Sequence, residues 1–225
     1  MSTLPPIPAS APYLATLATF SGPSAGVTRL TYDPQWCAAH RWLREQADAL
    51  GLVAHMDAVG DLYFAPPRVA PGARAILVGS HLDSVRDGGR YDGAYGVIAG
   101  LLLAATHRDA EGLPIVAFVT CEEEQSRFDS HMMGARAMLG QVTHDELDRV
   151  HDADGMTWRE ALQVAREAGC AEALGATSPC GPRFDVAAQL ELHIEQGPVL
   201  ESQGDAIGVV TSIAGYRRLR ATLVG

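Results

Sequence analysis

Four short segments of this chain place histidine or carboxylate side chains where predicted strands end. In chain order they are His81-Leu82-Asp83, Tyr91-Asp92-Gly93, Glu122-Glu123-Glu124 and Glu191-Leu192-His193. Side chains that follow several apolar runs converge when those runs are neighbouring strands of one sheet. An α/β enzyme assembles a metal site in this way, so the pattern predicts both the sheet and a metal centre at its edge.

The apolar runs alternate with stretches of helical spacing. Residues 75–78 and 113–120 predict buried strands, and the apolar stretch Ala94–Thr106 predicts a buried helix. Further strands are predicted at 52–59, 61–65, 185–194, 207–214 and 216–224, and further helices at 13–20, 33–50 and 157–169. The alternation predicts an α/β fold with a largely parallel sheet.

Local signals mark the ends of two of these helices. Asp33 followed by Pro34 predicts an N-cap with proline at the first helical position, and Gly51 predicts the stop. The spacing Thr157-x-x-Glu160 is that of a capping box, which opens a helix predicted to close at Gly169.

Composition excludes several classes of function. The 225 residues are 47% apolar, enough to bury a core as one domain or as one domain plus part of another. The formal charge of −10 argues against nucleic acid or an anionic membrane as partner. All 17 basic residues are arginine, so lysine Schiff-base chemistry and a P-loop lysine are excluded.

The cysteines and the apolar runs predict a location. The four cysteines form no Cys-x-x-Cys pair, which argues against a zinc ribbon or a thioredoxin-like motif and favours reduced thiols. The sequence shows no secretion signal and no apolar run of membrane-spanning length. We therefore expect a soluble, cytoplasmic protein.

The acidic and histidine residues each have an ordinary structural alternative. His81 and Asp83 lie two positions apart, so in extended backbone they point to the same side. One could bind a metal while the other accepts the remaining ring N–H, or both could cap a strand end in solvent. Asp92 could be a helix cap, and His193 a histidine whose hydrogen bonds are satisfied without a metal. Three adjacent glutamates after a buried strand repel one another and need a cation or protons nearby. Imidazole and carboxylate without thiolate suit Zn²⁺, Mn²⁺ or Co²⁺.

Three longer motifs carry a family resemblance. GSHLDSVRDGGRYDGAYG, CEEEQSRF and ELHIEQGPVLE resemble the N-carbamoyl-L-amino-acid hydrolase, allantoate amidohydrolase and β-ureidopropionase group, within the dinuclear-zinc aminoacylase and carboxypeptidase G superfamily. The resemblance covers roughly residues 35–225. It implies a three-layer α/β/α, zinc-aminopeptidase-like catalytic domain with a mainly parallel central sheet.

The resemblance also implies roles for single residues. It assigns metal ligation to four residues, His81, Asp92 (bridging both ions), Glu124 (second ion) and His193 (first ion). It assigns the general base to Glu123, the orientation of His81 to Asp83 and a substrate contact to Gln196. The relatives hold the bridging aspartate through a cis peptide, so one is expected at Asp92-Gly93. They usually have glycine where this chain has Gln125.

The implied chemistry is hydrolysis of the carbamoyl C–N bond of a small ureido substrate, with release of ammonia and CO₂. Two divalent ions, Zn²⁺ or Mn²⁺/Co²⁺, would activate the water, and Glu123 would move its proton. Which of allantoate, N-carbamoyl-α-amino acids or N-carbamoyl-β-alanine is the substrate stays open, as does a deacylase or aminopeptidase of the same superfamily.

The resemblance further implies that the chain is incomplete. Residues 1–214 would be the N-terminal part of the catalytic domain, and 215–225 the first strand of a lid and dimerisation domain. The full-length protein is expected to be a homodimer. The chain alone is expected to bind about one metal ion tightly and to have little activity, which makes a non-catalytic metal-binding fragment the main alternative.

Two other interpretations are weaker. A cysteine amidase would use Cys121 as nucleophile, but neighbouring carboxylates and burial raise a thiol pKa. A nucleotide-binding domain is suggested by the glycine-rich loop after a strand, yet Gly88, Gly89, Gly93 and Gly96 do not form Gly-x-Gly-x-x-Gly.

Overall fold

The computed structural model describes residues 6–130, 132–171, 181–213, 215, 219 and 221. Its chain divides into two compact units, Met1–Ile194 and Glu195–Gly225. The predicted domain boundary at 214/215 falls inside the second unit and stays a prediction.

The first unit is built on a five-stranded sheet with the order β1-β2-β4-β3-β5. The strands are β1 Val53–Met56, β2 Leu62–Ala65, β3 Arg74–His81, β4 Ile115–Thr120 and β5 Asp185–Leu190. β3 pairs in parallel with β4 and β5, whereas β1–β2 and β2–β4 are antiparallel. The predicted α/β class is confirmed, with a parallel centre and an antiparallel edge. The β1–β2 pair is antiparallel because residues 57–61, which join the two strands, are too few for a crossover.

Seven helices lie in the described residues. They are α1 Ala11–Leu17, α2 Pro34–Ala49, α3 Ala94–Thr106, α4 Met133–Met138, α5 His144–Arg149, α6 Trp158–Glu167 and, in the second unit, α7 Val199–Gln203. Within that described part of the chain, no helix combines the length and the apolar character needed to cross a bilayer.

The predicted helix signals are confirmed. Asp33 accepts a hydrogen bond from the Trp36 N–H at the start of α2, and Gly51 follows its end with φ 74°. Thr157 and Glu160 form the capping box of α6. These local contacts satisfy N–H groups that a helix start leaves without partners.

Helix α3 packs closely against the parallel centre of the sheet. Gly100 faces the Val78 carbonyl at a separation that no side chain could fit, and a Cβ on Gly96 would lie 2.6 Å from the Leu192 carbonyl oxygen. Small residues here allow the backbones to approach. The start of α3 is therefore held beside the end of β3 and beside the segment after β5.

Apolar side chains cover both faces of the sheet. On one face Leu62, Phe64 and Val119 pack with residues of α1, α2 and α3. On the other, Leu77 and Phe118 belong to a cluster that contains Phe184. A third cluster, around Trp36 and Trp158, joins α2 to α6.

Two buried carboxylates lie between β1 and β2. Asp57 Oδ1 accepts hydrogen bonds from the N–H groups of Val59 and Asp61 at 3.0 and 2.9 Å, and Asp61 Oδ1 accepts one from the Cys121 N–H at 2.9 Å. Burial raises the pKa of Asp57 to about 6, and burial together with Asp57 raises the pKa of Asp61 well above its usual value. Charging both groups therefore costs stability.

We expect Asp61→Asn to stabilise the fold at neutral pH by about 1–3 kcal/mol, because the amide keeps the acceptor for Cys121 and removes a buried charge. A carboxyl with a raised folded pKa contributes stability at low pH that is lost as pH rises through that pKa. The advantage of the variant should therefore grow between pH 4 and 8, measured by urea unfolding. Asp109→Asn, at an exposed site, is the control. A variant that is less stable than wild type at pH 8 would contradict this account.

Part of the sequence prediction fails in the second unit. The predicted strand at 207–214 is absent over residues 207–213, where the side chains of Ile207, Val209 and Ile213 are exposed. A strand needs a hydrogen-bonded neighbour, and the described part of this unit supplies none. The predicted strand at 216–224 lies mostly outside the described residues. In the first unit, the predicted strand at 185–194 ends at Leu190.

Candidate metal centre

His81 is the last residue of β3, and its side chain is buried at the carboxyl end of the parallel strands. Its ring lies against the backbone of Gly93, where a Cβ would lie 2.6 Å from His81 Cε1. Gly93 has φ 61° and ψ −49°, a combination that is open to glycine because it has no Cβ. The glycine thus lets the start of α3 bring Asp92 next to the imidazole.

Four of the predicted side chains face one another at similar distances. His81 Nε2 lies 3.7 Å from Glu123 Oε2 and 3.9 Å from Asp92 Oδ1. His193 Nε2 lies 3.2 Å from the same Asp92 oxygen. Asp92 therefore lies between the two imidazoles, and its role as the carboxylate that bridges two ions stays a prediction.

The ligand atoms form two overlapping groups. His81, Asp92 and His193 make one, and His81, Glu123 and Glu124 make the other, with all atoms of a group within 4.8 Å of one another. The structure thus brings together the four residues predicted as ligands. It places Glu123, predicted as the base, as close to His81 as a ligand would be.

These separations suit a divalent ion. Two ligand atoms each about 2.1 Å from a tetrahedral Zn²⁺ are about 3.4 Å apart. The observed 3.2–3.9 Å between imidazole nitrogens and carboxylate oxygens brackets that value. The donor set and its spacing therefore fit a zinc-like ion.

The tautomer of His81 also suits metal binding. Its Nδ1 lies 2.9 Å from the backbone carbonyl oxygen of Asp83. A carbonyl only accepts, so Nδ1 carries a proton, and the neutral form of the ring has its lone pair on Nε2. The sequence assigned this contact to the Asp83 carboxylate, but that group is 3.8 Å away and instead accepts the Glu124 N–H at 3.0 Å.

The electrostatics favour a cation at this point. Burial alone would lower the pKa of His81, but the carboxylates of Asp83 and Glu123 outweigh it and raise that pKa. Burial raises the pKa of Glu123 and Glu124, and His81 only partly offsets it. Carboxylates that are crowded together repel one another and bind protons more tightly than usual. A positive ion between them reduces that repulsion.

Glu122 has a structural role that the sequence did not reveal. Its Oε1 accepts hydrogen bonds from the N–H groups of Arg127 and Phe128 at 3.0 and 2.7 Å, inside the core. Burial, and then the charge of Asp83, raise the pKa of Glu122 to about 7. The only signal was that neighbouring residues of an extended chain point to opposite sides, so three glutamates could not all face one ion.

The segment that carries His81 and Asp83 is held by residues before α2. Arg29 is buried, and its Nε donates to the Leu82 carbonyl at 2.6 Å. Its backbone exchanges hydrogen bonds with Ser84, and Val27 pairs with Gly88. Residues 21–30, for which no role is predicted, thus shape the loop after β3.

The expected cis peptide at Asp92-Gly93 is wrong, because the described residues contain no cis bond. The turn into α3 is instead made by the positive φ of Gly93.

Gln125 adopts φ 53°, a left-handed conformation that only glycine adopts at low cost. This accounts for the glycine usual in the resembling proteins.

We expect Gln125→Gly to be about 1 kcal/mol more stable than Gln125→Ala, since only the alanine retains the strain. Urea unfolding of both variants measures the difference. At Ser126, where φ is not positive, the alanine variant should instead be more stable than the glycine variant. Equal stability of the two Gln125 variants would contradict a strained backbone.

Gln196 lies in the second unit, with φ 54°. Beside it, Glu195 accepts hydrogen bonds from the N–H groups of Val199 and Leu200 and so caps the start of α7. The role of Gln196 as a substrate contact stays a prediction.

Cys121 is unsuited to nucleophilic catalysis. Its side chain is fully buried, and burial together with Asp61 raises the pKa of its thiol. A thiol of this kind stays protonated, which argues against the cysteine amidase.

The sequence matches Peptidase family M20/M25/M40 over residues 51–222. This chain belongs to that family. It is 40% identical over 215 residues to an N-carbamoyl-L-amino-acid amidohydrolase of Paenarthrobacter aurescens, covering 93% of this chain and 50% of the relative. It is 36% identical over 216 residues to an allantoate amidohydrolase of Escherichia coli, covering 94% and 51%.

Solved structures agree with this assignment. A hydantoinase/carbamoylase family amidase from Burkholderia ambifaria superposes with a TM-score of 0.73 at 34% identity, over 86% of this chain and 46% of the amidase. This M20-family chain thus spans about half the length of the curated relatives that it matches.

Proposed function

We propose that the protein containing this chain is a metal-dependent amidohydrolase. It cleaves the carbamoyl C–N bond of N-carbamoyl-L-amino acids or allantoate and releases ammonia and CO₂. The observation that carries the proposal is the convergence of His81, Asp92 and His193 with Glu123 and Glu124 at the carboxyl end of the sheet. The names of the relatives support the substrate class.

His81, Asp92 and His193 would hold one divalent ion, and Glu124 would hold a second one that shares Asp92. Zn²⁺ is favoured by the ligand spacing, and Mn²⁺ or Co²⁺ accept the same donors. A bound ion of this kind supplies positive charge that polarises a carbonyl and lowers the pKa of water.

Glu123 is the proposed general base. Its side chain is about one-third exposed, so its carboxylate can meet a substrate as well as the buried His81. Glu123 would accept a proton from water at a carboxylate oxygen and deliver it to the leaving nitrogen, which must depart as ammonia. A raised pKa helps it to hold that proton between the two steps.

The neighbouring residues position these groups. Asp83 fixes the His81 ring through its carbonyl and the Glu124 backbone through its carboxylate. Glu122 accepts hydrogen bonds from the N–H groups of Arg127 and Phe128 and so holds the loop that carries Glu123 and Glu124. Gln196 is proposed to contact the substrate near the scissile carbamoyl group.

We further propose a cytoplasmic homodimer that takes small ureido substrates and binds neither nucleic acid nor membranes. The net charge of −10 supports the last point, because phosphate-rich partners would be repelled. The proposed lid and dimerisation segment would begin at 215.

Ammonia release tests the proposed function. The 225-residue chain and any longer natural chain that contains it should be assayed with allantoate, an N-carbamoyl-L-amino acid and N-carbamoyl-β-alanine. We expect turnover of at least one substrate by the longer protein, lost with a chelator and restored by Zn²⁺ or Mn²⁺. Activity that survives the chelator and is lost to a thiol alkylator would contradict it. Metal binding without turnover by either chain would favour the non-catalytic fragment.

A further inference from the structure

Two cysteines that are distant in sequence meet between α2 and the end of α6. Cys170 Sγ lies 3.6 Å from the carbonyl oxygen of Cys37, across a sequence separation of 133 residues. Both side chains belong to the cluster of buried residues that joins α2 to α6. Both residues are buried, and both are free. The metal centre uses neither of them.

The surroundings change the pKa of the two thiols in opposite directions. Arg41, one turn after Cys37 on α2, places Nη1 3.7 Å from Cys170 Sγ. The neighbouring Cys37 side chain, and then the Arg41 charge, lower the pKa of Cys170 to about 7 in spite of its burial. The neighbouring Cys170 side chain, and then burial, raise the pKa of Cys37. One sulfur is thus partly ionised at neutral pH while its neighbour keeps its proton, as in a dithiol with one attacking and one resolving cysteine.

We propose that Cys37 and Cys170 are a redox-active pair that forms an intramolecular disulfide when the protein meets hydrogen peroxide. The disulfide would tie helix α2 to the segment after α6. It would lie at the cluster of Trp36 and Trp158 that joins the two helices.

The chemistry balances with peroxide as the oxidant. The Cys170 thiolate attacks one peroxide oxygen, which breaks the O–O bond, gives a sulfenic acid and releases hydroxide. The Cys37 sulfur then attacks the Cys170 sulfur, forms the S–S bond and displaces the sulfenic oxygen as water. In sum, two thiols lose two hydrogens and two electrons, and one peroxide becomes two waters.

The other described cysteine provides the contrast. Cys121 is as deeply buried, but it lies beside Asp61, and burial raises the pKa of its thiol. Its thiol contacts the Tyr32 hydroxyl and the Val59 carbonyl oxygen, neither of which is a cysteine. We therefore expect Cys121 to stay reduced under conditions that oxidise the pair.

To test the proposal, the folded 225-residue chain is treated with hydrogen peroxide and the reaction is quenched. Free thiols are then counted after denaturation. We expect the count to fall from four to two, and a peptide map to link Cys37 to Cys170. Dithiothreitol should restore all four. Cys170→Ser and Cys37→Ser should abolish the linked peptide, whereas the control Cys121→Ser should retain it. The oxidised chain should also unfold at a higher temperature than the reduced chain, because the cross-link closes a long loop.

The peptide map of the wild-type chain decides the matter even if a serine variant fails to fold. A link between Cys170 and Cys180, a link between two chains, or oxidation of Cys170 to sulfinic acid without a link would each overturn the proposal. Retention of four thiols in the folded chain, with reaction only after unfolding, would do so as well.

Discussion

Replacing Glu123 with glutamine should lower carbamoyl hydrolysis by about 10²–10⁴-fold and leave metal content unchanged. Glutamine has the same shape but cannot accept the proton from water, so the step that needs a base is lost. The loss should appear in kcat more than in KM, since the group acts on the reacting proton. Ammonia release and elemental analysis of the same preparation, from a chain that is active before substitution, measure both quantities.

Glu124→Gln is the matched control, because the two glutamates are adjacent and both lie within ligand distance of His81. A ligand contributes charge to an ion, so its loss should reduce metal content as well as rate. If the Glu123 variant lost metal and the Glu124 variant kept it, the two roles would have to be exchanged.

Replacing His81 with alanine should weaken binding of the tightest ion by about 100-fold or more. His81 is the one residue common to both candidate ligand groups, and its Nε2 is oriented by the Nδ1–H bond to Asp83. No other imidazole of the described residues belongs to the second group, which would keep only carboxylates. A chelator competition titration with Zn²⁺ measures the affinity.

His151→Ala, at an exposed site away from either ligand group, should leave Zn²⁺ affinity unchanged. Equal affinity of the His81 variant and wild type would show that the ion binds elsewhere. Circular dichroism distinguishes loss of the ligand from loss of the fold, because His81 is buried.

The central elements could be predicted from the sequence because their signals are local. Helix α3 has the predicted bounds, Ala94–Thr106, since an uninterrupted apolar stretch long enough for a helix follows a glycine turn. The Thr157 and Glu160 capping box is satisfied within four residues. The convergence at the sheet edge followed from where the apolar runs end, because β3 and β4 are parallel neighbours.

What could not be predicted depends on tertiary context. Glu122, Glu123 and Glu124 are alike in sequence, and only the backbone turn at Glu122, φ 50°, sends the first into the core. Arg29 acquires its role from a contact with Leu82, more than fifty positions away. Residues 207–213 have the composition of a strand, but a strand also requires a partner.

The metal centre itself is tested most directly by crystallography. Crystals of the zinc-loaded protein, measured at the zinc absorption edge, should show an anomalous peak about 2.0–2.2 Å from His81 Nε2, with Asp92 and His193 as further ligands. A second, weaker peak beside Glu124 would complete the proposed pair. A zinc peak bound elsewhere, with none beside His81, would contradict the account.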